Sequence, residues 1–181
     1  MTVRKVVAGS VLAAGVGVAG ILGAGSAAAA PAPNQPGVSV SVNGGPATGF
    51  GDAHATSSTG SAAVAINLNA PAQASAVGGK GNTALAVGVL GPSLAEARGD
   101  NNSAVSALGG WAGSYGENNH TFTAGGAASN VPGGKDNNVV TVLGVTRAVG
   151  DGNFAVGACG GAVGYSGQGH FISSHAPGSV C

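Results

Sequence analysis

Charge is the first thing this sequence lacks. Six Lys and Arg and six Asp and Glu are spread over 181 residues, a charged fraction of 7%, and the formal net charge is zero. After Arg4 and Lys5 the cations are Lys80, Arg98, Lys135 and Arg147, far apart along the chain. No basic stripe is available to neutralise phosphates, so nucleic acid is excluded as an expected partner, and so is polybasic membrane attachment. Aromatic residues are scarce as well, at 4% with one Trp. With so few large side chains the chain can build only a thin core.

Catalytic patterns are missing too. No serine sits in GxSxG, and His54, His120, His170 and His175 form neither HExxH nor a Cys/His zinc spacing. GVGVAG at 15–20 has the letters of a dinucleotide fingerprint, but no strand precedes it and no acidic partner follows. GGKGN and GGKDN are similar to calcium-binding nonapeptides, yet their spacing is not nine and Asp does not recur where ligands are needed. The expectation is a non-enzyme with no catalytic residue, no metal and no cofactor.

Small residues are plentiful. Glycine contributes 36 residues, and a hydrophobic fraction of 44% comes mainly from alanine and valine. MTVRKVV places Arg4 and Lys5 before an apolar run that ends in GSAAAAPAP. Charged, apolar and small-residue regions in that order predict a helical secretory signal peptide over 1–30, removed on export, with no membrane anchor afterwards. A retained membrane span is the alternative, because the run is long enough to cross a bilayer. PAPNQPG then reads as a Pro-rich linker, 31–37, and the remainder, 38–181, as a single all-β repeat domain.

The repeat reading begins at VSVSV, 38–42, which alternates with period two, and no sustained helical period follows. GKGNTALAVG, GDNNSAVSALG, GENNHTFTAGG, KDNNVVTVLG, GDGNFAVGACG and GQGHFISS each pair a glycine-supported turn with a short alternating strand. Their turn polar residues align as Lys80, Asp100, Glu117, Asp136, Asp151 and Gln168. The next aligned position is Asn82, Asn102, Asn119, Asn138, Asn153 and His170, spaced by 20, 17, 19, 15 and 17 residues. GDAHAT around His54 and GSAAVAINL around Ala63 read as degraded earlier copies. SLAEA, WAGSY, VTRAV and AVGYS supply a second, weaker strand per unit. Stacked units of about 15–20 residues predict an irregular β-solenoid or β-roll with Asn and His as a structural turn ladder. An antiparallel meander or sandwich of hairpins is the alternative.

The GxxNxAxAxG units resemble the head repeats of trimeric autotransporter adhesins, which implies a β-roll; their shorter, regular period, coiled-coil stalk and membrane barrel have no counterpart here. The Ala-rich export segment ending in APAP and the Gly/Ala/Asn-rich body are similar to small secreted actinobacterial, notably mycobacterial, proteins. That likeness implies export and no particular activity.

Three smaller features complete the sequence. Cys159 and Cys181 are the only cysteines, and an exported chain favours their pairing in a disulfide, within or between chains. Arg98, Gly99 and Asp100 spell an integrin-recognition tripeptide but fall in register with the other turns, which favours a structural role. Trp111, Tyr115, Phe122, Phe154, Tyr165 and Phe171 either plug gaps in the core or form a stripe if their strands align. The expected function is a structural or interaction role in the cell envelope or outside the cell, with envelope components or self-association as partners. The alternative is a secreted carbohydrate-active or small-ligand-binding β-repeat protein.

Overall fold

The computed structural model describes residues 35–159 and 162–175. The expected signal peptide, 1–30, and most of the expected linker, 31–37, lie outside them, as does Cys181. Among the described residues there is no helix, and sixteen strands are present. The first eight are β1 (Gly37–Val42), β2 (Thr48–Phe50), β3 (Ala53–Ser57), β4 (Ala62–Asn67), β5 (Ala72–Val77), β6 (Thr83–Gly88), β7 (Ser93–Asp100) and β8 (Ser103–Ala107). The others are β9 (Gly110–Glu117), β10 (His120–Ala124), β11 (Ala127–Asn130), β12 (Asn138–Val142), β13 (Val145–Asp151), β14 (Phe154–Ala158), β15 (Ala162–Gln168) and β16 (Phe171–His175).

From β3 onward the chain alternates between two sheets, and from β5 onward each strand pairs in parallel with the one two steps earlier. The result is a β-solenoid of about six turns. One sheet has nine strands, ordered β16-β14-β12-β10-β8-β6-β4-β1-β2, and the other has seven, ordered β15-β13-β11-β9-β7-β5-β3. The antiparallel alternative is confined to the first turn, where β1 pairs antiparallel with both β4 and β2.

The two-residue side-chain period decides what goes inside. In the nine-stranded sheet the inward positions are Ala63 and Ala65, Ala84 and Ala86, then Ala104 and Ser106, all buried. Across the interior stand Ala72, Ala74, Ala76, Ala95, Ala97 and Ala112. Toward the C-terminal turns this alanine core gives way to Thr121, Thr123, Thr141 and Thr146 around Val139. Among the buried hydroxyls, Ser106 donates to Gly110 O at 2.8 Å, Ser114 to Asn119 O at 2.9 Å and Thr121 to Gly113 O at 3.2 Å, while Thr123 Oγ1 and Thr146 Oγ1 have no partner among the described residues.

An open β-edge is a template for unwanted pairing, and at the N-terminal end the seven-stranded sheet is closed against it. Ser39 and Ser41 of β1 accept hydrogen bonds from the Ala55 and Ser57 N–H groups of the edge strand β3, at 3.1 and 3.0 Å. Strand β11 ends before Val131 and Pro132. There the Asn130 side chain acts as a backbone surrogate, accepting from Tyr115 N–H at 2.8 Å and donating to Tyr115 O at 2.5 Å.

Candidate functional site

The turns that carry the chain from the seven-stranded to the nine-stranded sheet form the first conspicuous array. Asn82, Asn102, Asn119, Asn137 and Asn153 stack there, each fully buried. Each Oδ1 accepts from the next residue of the column: Asn102 Oδ1 takes Asn119 N–H at 3.0 Å and Asn119 Nδ2 at 3.1 Å, and Asn119 Oδ1 takes Asn137 N–H at 2.9 Å and Nδ2 at 3.0 Å. Ser61 Oγ begins the column at Asn82 N–H, and the His170 backbone N–H ends it on Asn153 Oδ1. The copy around Ala63 is therefore genuine, whereas GDAHAT feeds β3 and His54 lies in the other sheet.

One ladder assignment needs correction. Asn137, not Asn138, occupies the fourth rung, and Asn138 opens β12 on the outer face, paired with His120 and Phe154. The turn polar residue there is accordingly Lys135, while Asp136 takes the left-handed position (φ 54°) held elsewhere by Asn101 (55°) and Asn118 (54°). Two adjacent asparagines in KDNN permit either alignment on paper. Backbone handedness selects one. With that shift, a glycine stands three residues before every rung: 79, 99, 116, 134, 150 and 167. Each Asn amide donates to the glycine carbonyl one turn on, as Asn102 does to Gly116 O at 2.7 Å and Asn119 to Gly134 O at 2.7 Å.

The carboxylates are largely occupied by structure. Asp100 Oδ1 accepts from Lys80 N–H at 2.9 Å, and Asp151 Oδ1 from Lys135 N–H at 2.8 Å. Glu117 pairs with the Lys135 ammonium at 2.9 Å, which raises the lysine pKa. Glu96 forms an ion pair with Arg98 and accepts a hydrogen bond from the Tyr115 phenol at 2.5 Å. Burial, then that hydrogen bond and the Glu96 charge, push the Tyr115 pKa well up, so the phenol remains a donor. The Arg98–Gly99–Asp100 tripeptide thus lies along β7 with both charged ends engaged. Its Asp is not the indifferent surface position that alignment with Lys80 and Gln168 suggests.

The nine-stranded sheet presents a different chemistry outward. None of its strands contains Asp, Glu, Lys or Arg. Parallel register lines its outer side chains into rows. One row runs Thr83, Ser103, His120, Asn138, Phe154, Phe171; the next runs Leu85, Val105, Phe122, Val140, Val156. Phe154 and Phe171 stack with centroids 5.4 Å apart and planes 9° apart. A shallow hollow of about 250 Å³ lies between Val105, His120, Phe122, Val140 and Phe154. Turns leaving this sheet continue the apolar surface with Leu68, Leu90, Leu108 and Leu143, of which Leu90 is 82% exposed. Leu108 and Leu143 have φ of 61° and 51°, a conformation disfavoured for a residue with a Cβ.

The aromatic residues therefore form no single stripe. Phe122, Phe154 and Phe171 sit on the nine-stranded sheet, while Trp111, Tyr115 and Tyr165 belong to the seven-stranded one. Trp111 and Tyr115 close over Gly113, where a Cβ would meet Tyr115 Cε2 at 2.7 Å and Trp111 Cζ2 at 2.8 Å. Among the described residues no three His, Cys, Asp or Glu side chains are grouped to hold a metal ion. No protein-family pattern, curated protein or solved structure matches the chain. The outer face escaped the sequence reading because alternation shows that a strand has two faces, not which of them meets solvent. A usable signal existed: every Asp, Glu, Lys and Arg after residue 35 falls outside the strands of this sheet.

Proposed function

We propose that the protein is exported and acts in the cell envelope or outside the cell as a non-enzymatic interaction protein, with the uncharged outer face of the nine-stranded sheet as its working surface. The observation that carries this reading is the segregation of charge. Side chains at Val42, Phe50, Phe122, Val142, Phe154 and Phe171 are exposed, while, apart from Asp52 between β2 and β3, the seven-stranded face and the Asn turns carry the ions. An uncharged expanse carrying this many exposed apolar side chains is the kind of surface that marks an interaction site. Leu108 and Leu143 strengthen the argument, since left-handed turns fold better with glycine or asparagine and neither leucine is buried in return.

Two tests address the reading. Export predicts that the extracellular protein lacks Met1 to about Ala30, and N-terminal sequencing that recovered Met1 from the medium would remove the signal-peptide basis. The wild type is expected to associate through this face, with itself or with an envelope fraction, even at high salt, because an uncharged contact is not screened. Val140→Lys, still folded by circular dichroism, is expected to lose that association; an unchanged association would sink the face as the working surface. The small secreted actinobacterial likeness accords with this place of action.

Export also bears on Cys159. It occupies the turn position equivalent to Leu143, with φ of 54°, and no described cysteine is free. Pairing with Cys181 would close a loop of roughly twenty residues and stabilise the last turn by about 3 kcal/mol in the loop-entropy picture. Thiol titration of unreduced exported protein is expected to find none, and two reactive thiols would refute the pairing. A covalent dimer on a non-reducing gel would show that the bond runs between chains.

A second reading has one observation in its favour. Trp111 and Tyr115, beside Glu96 and Arg98, form an aromatic platform with polar groups at its rim, the composition of a sugar-stacking site. Binding on a glycan array that is lost in Trp111→Ala would favour this carbohydrate reading.

A further inference from the structure

We infer that the partner of the uncharged face is a second copy of this chain, the two nine-stranded sheets packing face to face about a two-fold axis. This inference rests on the reading of that face as the working surface and names what covers it. Area is the first argument. Nine strands ~4.8 Å apart and about five residues at ~3.3 Å rise give a face of about 38 Å by 16 Å, hence ~600 Å² per copy. Two such faces together reach ~1,200 Å², where specific interfaces begin.

Chemistry is the second argument. No Asp, Glu, Lys or Arg stands on these strands, so closing the pair desolvates no such charge. The face is not pure hydrocarbon either: Thr83, Ser103 and Asn138 line one row beside the apolar row of Leu85, Val105, Phe122 and Val140. A second copy supplies matching donors and acceptors to that row. Lipid tails would leave it unpaired.

Symmetry is the third. Strand β8 is the middle strand of the nine. A two-fold axis along it lets the sheets overlap completely, laying β2 of one copy over β16 of the other. Phe50 and Phe171, 53% and 71% exposed, then stand on the two opposite rim strands of each face, each against the other copy. The β1 cap on β3 closes the N-terminal edge of the seven-stranded sheet to end-on stacking.

The test is the mass of the exported protein by sedimentation equilibrium and light scattering across the micromolar range. Wild type is expected at twice the chain mass, and Val105→Lys, which sets two like charges against each other at the axis, is expected to weaken the pair by about tenfold or more. Arg147→Glu, on the seven-stranded sheet, should leave the mass unchanged. If Val105→Lys does not fold, Phe50→Ser combined with Phe171→Ser replaces it, again with a weakened pair expected. A wild type that stays monomeric throughout overturns the inference, as does a pair insensitive to both face variants. A monomer that floats with uncharged phosphatidylcholine vesicles overturns it in favour of a lipid partner. A monomer whose Val140→Lys variant still leaves the envelope fraction would refute self-pairing alone and keep the face as an interaction surface.

Discussion

Asn119→Ala is expected to lower unfolding stability by about 4 kcal/mol, among the largest effects a single substitution has. The Asn119 side chain accepts Asn137 N–H and Nδ2 and donates to Tyr115 O at 2.8 Å and Gly134 O at 2.7 Å. Alanine removes these four bonds and the Nδ2 donation to Asn102 Oδ1, and leaves their partners in a site that water does not reach, since Asn119 is 0% exposed. Each orphaned group costs about 1–3 kcal/mol, and the column polarises along its length, so the losses are not confined to one turn. A solenoid also depends on nearest-neighbour contacts, and a break at the central rung should broaden the urea transition by uncoupling its two halves. Asn138→Ala is the matched control. Its side chain lies on the outer face, so the change should be within about 0.5 kcal/mol. Equal destabilisation by the two variants in urea melts would contradict the ladder register.

Gly99→Val is expected to cost about 3 kcal/mol or more, for two reasons that act at the same atom. Gly99 has φ of 105°, which a β-branched residue adopts only under strain. A Cβ there would also stand 2.0 Å from Gly116 O in the next turn. That oxygen is backbone, itself held by the Asn102 amide at 2.7 Å, so relief requires separating two turns of the solenoid. Thermal melts are the measurement, and a Gly99→Val chain as stable as wild type would dismiss the stacked-glycine column. Asp100→Glu tests the neighbouring residue differently. Loss of the Lys80 N–H bond should cost about 1 kcal/mol, and attachment of host cells should not change, because Arg98 and Asp100 are already engaged within the protein. Abolished attachment by a folded Asp100→Glu chain would make the tripeptide a recognition signal.

The sequence by itself determined the class of fold and most of its internal spacing. Glycine followed three residues later by asparagine, with a short alternating strand after it, encodes one turn of a solenoid because only glycine fits the stacked backbone and only a small amide bridges to both neighbours. Alanine at alternate positions likewise announced a narrow interior. Several matters were decided only by the tertiary structure. Parallel against antiparallel pairing is invisible in local pattern, since both use short glycine turns; the chain uses parallel pairing throughout the repeats and confines antiparallel pairing to β1, the strand that also caps β3. The choice of Asn137 over Asn138 depends on which residue takes the left-handed backbone. Most consequentially, the sidedness of the surface emerges only when strands far apart in sequence align: Val105, Phe122 and Val140 are single apolar residues in separate repeats, and parallel register alone makes them neighbours on one uncharged face.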